Sequence, residues 1–249
     1  MFIAACGITA IPAAAARHDV DVLQLLAAQR ATIFPPGARY QYSNSGYALL
    51  SLIVGRASNK TFAQFLSQDV FAPLRMNTTV AFEEGISAVA NRAYGYSRRS
   101  AVPANEGEGP SPNRHALAGA QAGSSEWIRT DQSLTSAVLG DGGIYSNIDD
   151  LVFWLVSLDE ASLLKRSTLD LAFSPAVETG TPGVRYGFGW RIAEHRGVRM
   201  LSHTGETIGF RNAVVRFPDQ RLAVVVLTNR NEGEPFDIAL KIADEFAVK

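Results

Sequence analysis

Cysteine is nearly absent from the sequence, because Cys6 is the only one among 249 residues. An intramolecular disulfide and a cysteine-rich zinc site are therefore both excluded. An excess of charge is also lacking, since 23 basic residues stand against 24 acidic ones and the formal net charge is -1. The chain thus has no electrostatic footprint for nucleic acid or an anionic membrane. These absences favour a small molecule or a short peptide as the partner.

Long apolar runs and cofactor motifs are scarce as well. Residues 1–16 are uncharged and rich in Ala, but they are too short to span a bilayer and lack the positively charged start of a signal peptide. We predict no membrane span and no signal peptide in them. The sequence also has no phosphate-binding loop and no Gly-x-Ser-x-Gly elbow. Its histidines show no metal-ligand spacing, so we predict no metal and no cofactor; they are His18, His115, His195 and His203.

Hydrophobic residues make up 47% of the chain, which is enough for a sizeable core. The apolar pattern predicts helices over 46–57, after a Pro-Pro-Gly turn, over 61 to about 70, and over 151–158. Ser146 and Asn147, followed by two acidic residues, are a typical start for the last of these helices. Residues 97–125 are rich in Pro, Gly and Ser and predict a long surface loop.

Beyond residue 186 the hydrophobic period changes to two. This alternation predicts strands over 198–204, 210–217 and 221–228, with Pro218-Asp219-Gln220 as a hairpin turn between the last two. An apolar stripe that ends at Phe246 predicts a closing helix. The order of helices, strands and a final helix indicates an α+β fold. We expect residues 1–185 to form its mostly helical part and residues 186–249 to form the strands and the final helix of the same domain.

Two short motifs carry candidate functional residues: Tyr42-Ser43-Asn44 before a helix, and His203-Thr204-Gly205 at the end of a strand. Each motif alone is more typical of a helix cap or of an ordinary hydrogen-bonded histidine. Their order and surroundings make them specific. The surrounding segments are FPPGARYQYSNSGYALLSLIV, VFAPLRMNTT, GDGGIYSNIDDL, YGFGW and HTGETIGFRNAVVRFPDQRLAVVVLTNR.

These segments resemble the penicillin-recognising serine hydrolases, in particular the branch of class C β-lactamases, D-Ala-D-Ala carboxypeptidases, D-aminopeptidases and related esterases. The resemblance covers about residues 20–229. It implies a β-lactamase/transpeptidase-like fold, in which a helical subdomain packs on a five-stranded antiparallel sheet with the active site between them. Because members of this family are often exported, it also implies a periplasmic or secreted parent protein.

The resemblance assigns roles to the two motifs. Tyr42 would be the general base or proton shuttle, Asn44 would hold the substrate amide, and His203 would line the cleft from the sheet. Ser43, Thr204 and Gly205 would contribute to substrate binding. A phenol with a reference pKa of about 10 needs nearby cations to act as a base at neutral pH.

His203 stands where the commoner motif of the family has a lysine. With a reference pKa of about 6.5 we expect it to be partly charged at pH 7. A partly charged imidazole is a weaker anchor for a substrate carboxylate than a lysine. This departure favours peptidase, esterase or amidase activity over efficient β-lactam hydrolysis.

The chain departs from the family at the nucleophile. In the family this is the serine of a Ser-x-x-Lys motif upstream of the Tyr-x-Asn motif, and none of the 41 residues before Tyr42 forms that motif. We therefore interpret the chain as N-terminally truncated, without the first strands and the nucleophile helix. This interpretation predicts an exposed sheet edge along 221–228 and a marginally stable chain.

Three functional hypotheses follow. The first is acyl-enzyme hydrolysis by the parent protein of a D-amino-acid peptide, amide, ester or β-lactam. The second is a non-catalytic module that binds peptides or a protein partner. The third uses Ser43, or the Ser162 of a Ser-x-x-Lys that ends at Lys165, as the nucleophile, and it is the weakest because Ser162 follows Tyr42 and a match to two fixed positions is common by chance. The natural substrate, the oligomeric state and the compartment are not specified by the sequence.

Overall fold

The computed structural model describes residues 18–83, 86–98, 126–131 and 136–246. The first part contains three helices: α1 (Asp19–Ala27), α2 (Asn44–Ser58) and α3 (Phe62–Phe65), the last of which continues as a π-helical turn at Leu66–Phe71. Four short strands follow: β1 (Val80–Ala81), β2 (Tyr96–Arg98), β3 (Trp127–Arg129) and β4 (Ile144–Tyr145). They form two small antiparallel sheets, β1 with β4 and β2 with β3.

The second part begins with two helices and ends with a sheet and a helix. The helices are α4 (Ile148–Glu160) and α5 (Arg166–Ala172). The strands are β5 (Val177–Glu178), β6 (Arg185–Tyr186), β7 (Arg191–His195), β8 (Val198–Thr207), β9 (Phe210–Phe217) and β10 (Leu222–Thr228), and α6 (Pro235–Phe246) closes the chain. All neighbours in the sheet are antiparallel, in the order β10-β9-β8-β7-β6-β5.

Side-chain caps begin the two longest helices. The Ser43 hydroxyl accepts a hydrogen bond of 3.1 Å from the backbone N–H of Gly46, and the side chain of Asn147 accepts one of 2.9 Å from Asp150. Such caps satisfy backbone donors that the first helical turn leaves without a partner. The cap at Ser43 fixes the direction in which the chain enters α2, and with it the position of Tyr42 and Asn44 on either side of the cap.

Three apolar clusters hold these elements together. One lies among α3, the π-helical turn and β1 and includes Leu66 and Phe71, and a second lies between the sheet and α6 and includes Val215 and Phe217. The third joins the sheet to α4 and α5. Its buried members are Leu158, Leu169, Phe173, Trp190, Ile192 and Leu201.

A buried cation reinforces the junction between the sheet and α4. Arg216 on β9 is only 2% exposed, and its guanidinium donates a hydrogen bond to the carboxylate of Asp159 near the end of α4. The same guanidinium lies 5.3 Å from the ring centroid of Phe173 and 5.7 Å from that of Trp190. The third cluster therefore has a charged pair at its border, and this pair joins β9 to the end of α4 in addition to the apolar contacts.

The α+β fold predicted from the sequence is confirmed. The helix expected over 46–57 is α2, the one over 151–158 is α4, and the three expected strands are β8, β9 and β10. The antiparallel sheet has six described strands where the resemblance implied five, because the two-residue strands β5 and β6 extend it beyond β7. The helix expected over 61–70 is α only as far as Phe65 and π-helical after it.

The remaining predictions concern the sheet edge, a loop that falls mostly outside the described residues, and membrane spans. Strand β10 is the edge of the described sheet, as predicted for 221–228. The loop predicted over 97–125 falls outside the described residues, apart from Ser97 and Arg98, which belong to β2. Within the described ranges, none of the helices combines the length and the apolar character that crossing a bilayer requires.

Candidate active site

Three residues from the two sequence motifs, Tyr42, Asn44 and His203, meet in one cavity of about 370 Å³ between the helical part and the sheet. Tyr42 and Asn44 enter it from the start of α2, and His203 enters it from β8. The motifs are separated by about 160 residues of sequence, so that only the fold brings them together. The cavity is lined by Tyr42, Asn44, Tyr47, Gly140, Asp141, Trp154, Phe188, Gly189, Trp190, His203 and Val214.

Aromatic side chains form much of the wall. Trp154 of α4 and Trp190 stack with an interplanar angle of 11° and a centroid distance of 5.8 Å. The ring of Tyr42 lies 6.1 Å from that of His203, and the side chain of Tyr42 is 43% exposed. The wall is therefore largely apolar, with a few polar groups at defined positions, which is typical of small-molecule sites.

Both ring nitrogens of His203 have partners within the protein. Nδ1 lies 2.8 Å from the carbonyl oxygen of Thr204, and Nε2 lies 3.0 Å from the hydroxyl of Tyr186. Because a carbonyl can only accept, Nδ1 carries the proton, and in the neutral ring Nε2 accepts a hydrogen bond from Tyr186. Burial and the nearby charge of Arg191 lower the pKa of His203. The lowered pKa shifts His203 further towards the neutral imidazole than its reference pKa of about 6.5 implies.

The environment of Tyr42 favours its neutral phenol. Burial, the neighbouring Tyr47 and the carboxylate of Asp141 raise the pKa of Tyr42, and Arg191 opposes them. The sequence argument required cations that would stabilise a phenolate. Arg191 has the required charge, but its effect is the smaller one, so that Tyr42 remains a neutral phenol that holds its proton more firmly than a free tyrosine does.

Arg191 and Asp141 are charged residues of the site that the sequence argument missed. Arg191 begins β7, and its Nη1 donates a hydrogen bond of 3.1 Å to the hydroxyl of Thr204. Asp141 lines the cavity beside Tyr42. A signal was present, because Asp141 lies within the GDGG segment and Arg191 directly follows YGFGW, and both segments carry the family resemblance.

The three residues expected to contribute to substrate binding differ in position. The Ser43 hydroxyl is used in the helix cap, and the Thr204 hydroxyl accepts from Arg191. Gly205 pairs with Asn212 of β9, and a Cβ atom at Gly205 would meet only the Asn212 side chain, at 3.9 Å. None of the three is among the residues that line the described cavity. A substrate-binding role for these three residues stays a prediction.

The chance Ser-x-x-Lys match does not form a helical pair. Ser162 lies in the connection between α4 and α5, and Lys165 is the residue before α5. Neither lines the cavity. In the described part of the chain, no group of three His, Cys, Asp or Glu side chains is placed to hold a metal ion.

The chain is similar in sequence and in fold to penicillin-binding proteins and to a D-aminopeptidase. The chain is 27% identical over 222 residues to penicillin-binding protein 4* of Bacillus subtilis, covering 85% of this chain and 44% of that protein. It is 27% identical over 218 residues to the D-aminopeptidase of Brucella ovis, covering 88% and 37%. The octameric penicillin-binding protein homologue from Pyrococcus abyssi superposes with a TM-score of 0.75 at 20% identity, covering 96% of this chain and 49% of that one.

The chain spans less than half the length of these relatives. The Beta-lactamase family model matches residues 9–249, which include every residue that lines the cavity. The fold, the two motifs and this match agree. The chain therefore belongs to the β-lactamase family.

Proposed function

We propose that this chain forms the substrate cleft of a serine hydrolase that acts through an acyl-enzyme on D-amino-acid peptides, amides, esters or β-lactams. The observation that carries the proposal is the meeting of Tyr42, Asn44 and His203 in one cavity. The similarity to a D-aminopeptidase over most of the chain supports the substrate class.

In this proposal Asn44 and Tyr42 act on the reacting amide. The Asn44 side chain, on the first turn of α2, can accept and donate hydrogen bonds at once, as the alignment of an amide requires. Tyr42 is a neutral phenol at pH 7, since its reference pKa is about 10 and burial raises it further. In one relay it would pass its proton to the amide nitrogen that leaves and take up the proton of the hydroxyl as that oxygen bonds to the carbonyl carbon. Water then cleaves the acyl ester and releases the acid.

His203 would line the cleft as a neutral ring, and it would not bind a substrate carboxylate through a positive charge. Its two nitrogens are engaged by Thr204 and Tyr186, and burial lowers its pKa. The positive charge at this end of the cleft comes from Arg191, which is held against Thr204. A neutral His203 supports peptidase, amidase or esterase activity over efficient β-lactam hydrolysis.

The acylation step needs a serine. None of the residues that line the described cavity is a serine. This observation favours a second candidate function, a non-catalytic module that binds the same peptides. The two candidates share the cleft and differ in whether a covalent bond forms.

Two measurements on the purified chain separate the candidates. The intact mass is recorded after incubation with a penicillin and with a fluorophosphonate, and binding of D-Ala-D-Ala is followed through the fluorescence of Trp154 and Trp190 in the cavity wall. Each is repeated with Tyr42→Phe and with Tyr94→Phe, a tyrosine outside the cavity lining, as the matched control.

A single serine adduct that Tyr42→Phe slows and Tyr94→Phe leaves unchanged supports the hydrolase. Saturable binding of D-Ala-D-Ala without an adduct is expected both from the binding module and from a hydrolase cleft whose nucleophile this chain does not carry. The coding DNA upstream then separates the two, since an in-frame Ser-x-x-Lys supports the hydrolase and its absence supports the binding module. The absence of both an adduct and binding, in a chain with a cooperative unfolding transition, would contradict both candidates.

A further inference from the structure

Asp141 is a carboxylate without a cationic partner at the edge of the cleft. It lines the cavity together with Tyr42 and Asn44, and its side chain is half-buried. None of the salt bridges among the described residues involves Asp141. A carboxylate withdrawn from water without a cation is unfavourable, and binding of a cation would relieve that cost.

The turn that carries Asp141 is held tightly against α2. A Cβ atom at Gly140 would lie 2.4 Å from the carbonyl oxygen of Tyr47 and 2.6 Å from Cα of Ala48. Asp19 fastens the same turn, since its carboxylate accepts hydrogen bonds from the backbone N–H groups of Leu139 at 3.0 Å and Gly140 at 2.9 Å. Asp141 is therefore kept at a fixed position beside the start of α2.

The carboxylates of Asp19 and Asp141 differ in their hydrogen bonds. Asp19 also accepts a hydrogen bond of 2.7 Å from the Ser51 hydroxyl, so that both of its oxygens are engaged in hydrogen bonds that stabilise the fold. Burial and the charge of Asp19 raise the pKa of Asp141 to about 6. At pH 7 Asp141 is still mostly ionised, and its charge faces the cavity. Apart from a hydrogen bond with its own backbone, this carboxylate is available to a ligand, because the hydrogen bonds to Leu139 and Gly140 are made by Asp19.

We propose that Asp141 binds the free α-ammonium group of the substrate, so that the cleft selects D-amino-acid amides and peptides with an unblocked amino terminus. The proposal rests on the proposed function and narrows its substrate class. The ammonium end lies beside the start of α2, near Asn44, which would align the adjoining amide. An N-acylated compound presents no cation and would leave the buried carboxylate uncompensated.

The proximity of Asp141 and Tyr42 adds a chemical consequence. The charge of Asp141 raises the pKa of Tyr42. A bound ammonium group would neutralise that charge and lower the pKa of Tyr42 again. The substrate would thereby make it easier for Tyr42 to give up its proton to the leaving nitrogen in the relay with the attacking hydroxyl.

The test compares D-alaninamide with N-acetyl-D-alaninamide, each titrated into the chain with tryptophan fluorescence as the readout. The first should bind at least about tenfold more tightly at pH 7, which corresponds to about 1.4 kcal/mol. Asp141→Asn should abolish the preference. Asp149→Asn, which removes an exposed carboxylate at the start of α4, is the matched control and should retain it.

The pH dependence of wild-type binding gives a second measurement that needs no variant. Affinity for D-alaninamide should fall as the pH drops through about 6, where Asp141 becomes protonated, while the affinity for the acetylated compound should change little. The other titratable or charged groups around this part of the cleft are Asp19, Tyr40, Tyr42, Tyr47, Tyr186, Arg191 and His203. His203 is distinguished from Asp141 by its own NMR titration.

Equal affinity for the two compounds, or a preference that persists in Asp141→Asn, would overturn the role of Asp141 and leave the proposed function standing. If neither compound nor D-Ala-D-Ala binds, the proposed function itself fails and the role of Asp141 fails with it. If Asp141→Asn does not fold, the wild-type comparison and its pH dependence still decide.

Discussion

The hydroxyl of Tyr186 lies 3.0 Å from Nε2 of His203, and Tyr186 is itself hydrogen-bonded to Tyr47 of the cavity wall. A row of hydrogen bonds thus runs from α2 through β6 to β8 and ends at the carbonyl oxygen of Thr204. Burial raises the pKa of Tyr186, so that its hydroxyl remains a donor over the whole range in which proteins are stable. This row couples the helical wall of the cleft to the strand that carries the His-Thr-Gly motif.

The first prediction concerns the protonation of His203. At pH 7 its ring should be neutral with the proton on Nδ1, and its pKa should lie below the ordinary value of about 6.5. Nitrogen-15 NMR of the imidazole distinguishes the two neutral tautomers and the charged form. Tyr186→Phe should keep the proton on Nδ1 and shift only the Nε2 resonance, whereas Tyr94→Phe should shift neither. A charged ring at pH 7 would contradict the geometry.

The second prediction concerns Arg191. Arg191→Gln removes a positive charge that lowers the pKa of both His203 and Tyr42, so both pKa values should rise. A variant that only changed the burial of the cleft would move them in opposite directions, because burial lowers the pKa of histidine and raises that of tyrosine. The measurement is an NMR titration of the two labelled rings. Arg191→Lys, which keeps the charge, is the control.

The family, the fold class and two of the site motifs were predictable from the sequence because they depend on local patterns. The sequence itself shows the helix caps Ser43 and Asn147 as small polar residues before an apolar run. It also shows the alternation of apolar and polar residues along β8, β9 and β10. The short strands β1, β4, β5 and β6 were not predicted, since two residues are too few for a period. Their pairing comes from the tertiary structure.

The charges of the site were less predictable. Asp141 and Arg191 reach the cleft only because a tight turn packs on α2 and because β7 pairs with β8. The environment of His203 likewise depends on Tyr186, which is 17 residues away. A sequence gives the reference pKa of a side chain, whereas burial and neighbouring charges arise from the fold.

The third prediction tests the close approach of the 139–143 turn to α2. Gly140→Ala places a methyl group 2.4 Å from a backbone oxygen, so that the turn must move away from α2. We expect a loss of about 2 kcal/mol in the free energy of unfolding and weaker ligand binding by the cleft. Gly142→Ala is the control, since a Cβ atom there meets nothing within 4 Å. The measurement is urea unfolding, and equal midpoints for the two variants would contradict the packing.

The fourth prediction tests the buried cation at the border of the third apolar cluster. Asp159→Asn leaves the guanidinium of Arg216 without its carboxylate in a site where it is 2% exposed. Because the Asp159 side chain is 39% exposed, solvent screens the pair, and we expect a cost of about 1–2 kcal/mol, between the values for exposed and for fully buried pairs. Asp170→Asn changes an exposed aspartate on the neighbouring helix α5 and should cost far less. Thermal unfolding of both variants checks the difference, and a stable Asp159→Asn would show that water satisfies Arg216.

The fifth prediction is a pH dependence of stability that comes from Asp150. Burial alone would raise its pKa, but hydrogen bonds from Thr79 and Thr78 outweigh burial and lower the pKa of Asp150. A lowered pKa in the folded state means that the ionised carboxylate stabilises the fold above its unfolded pKa, and that this contribution disappears as the pH falls through the folded value.

Asp150→Asn should therefore be less stable than the wild type at pH 7, and the difference should shrink as the pH falls below about 4, where the carboxyl group of the unfolded chain takes up its proton. Urea unfolding between pH 3 and pH 7 measures the difference directly. Asp149→Asn, one residue earlier and exposed, should give a small difference that varies little with pH. A constant gap for Asp150→Asn would mean that Asp150 stabilises the fold through its shape and neutral hydrogen bonds, because only the ionised form makes the gap depend on pH.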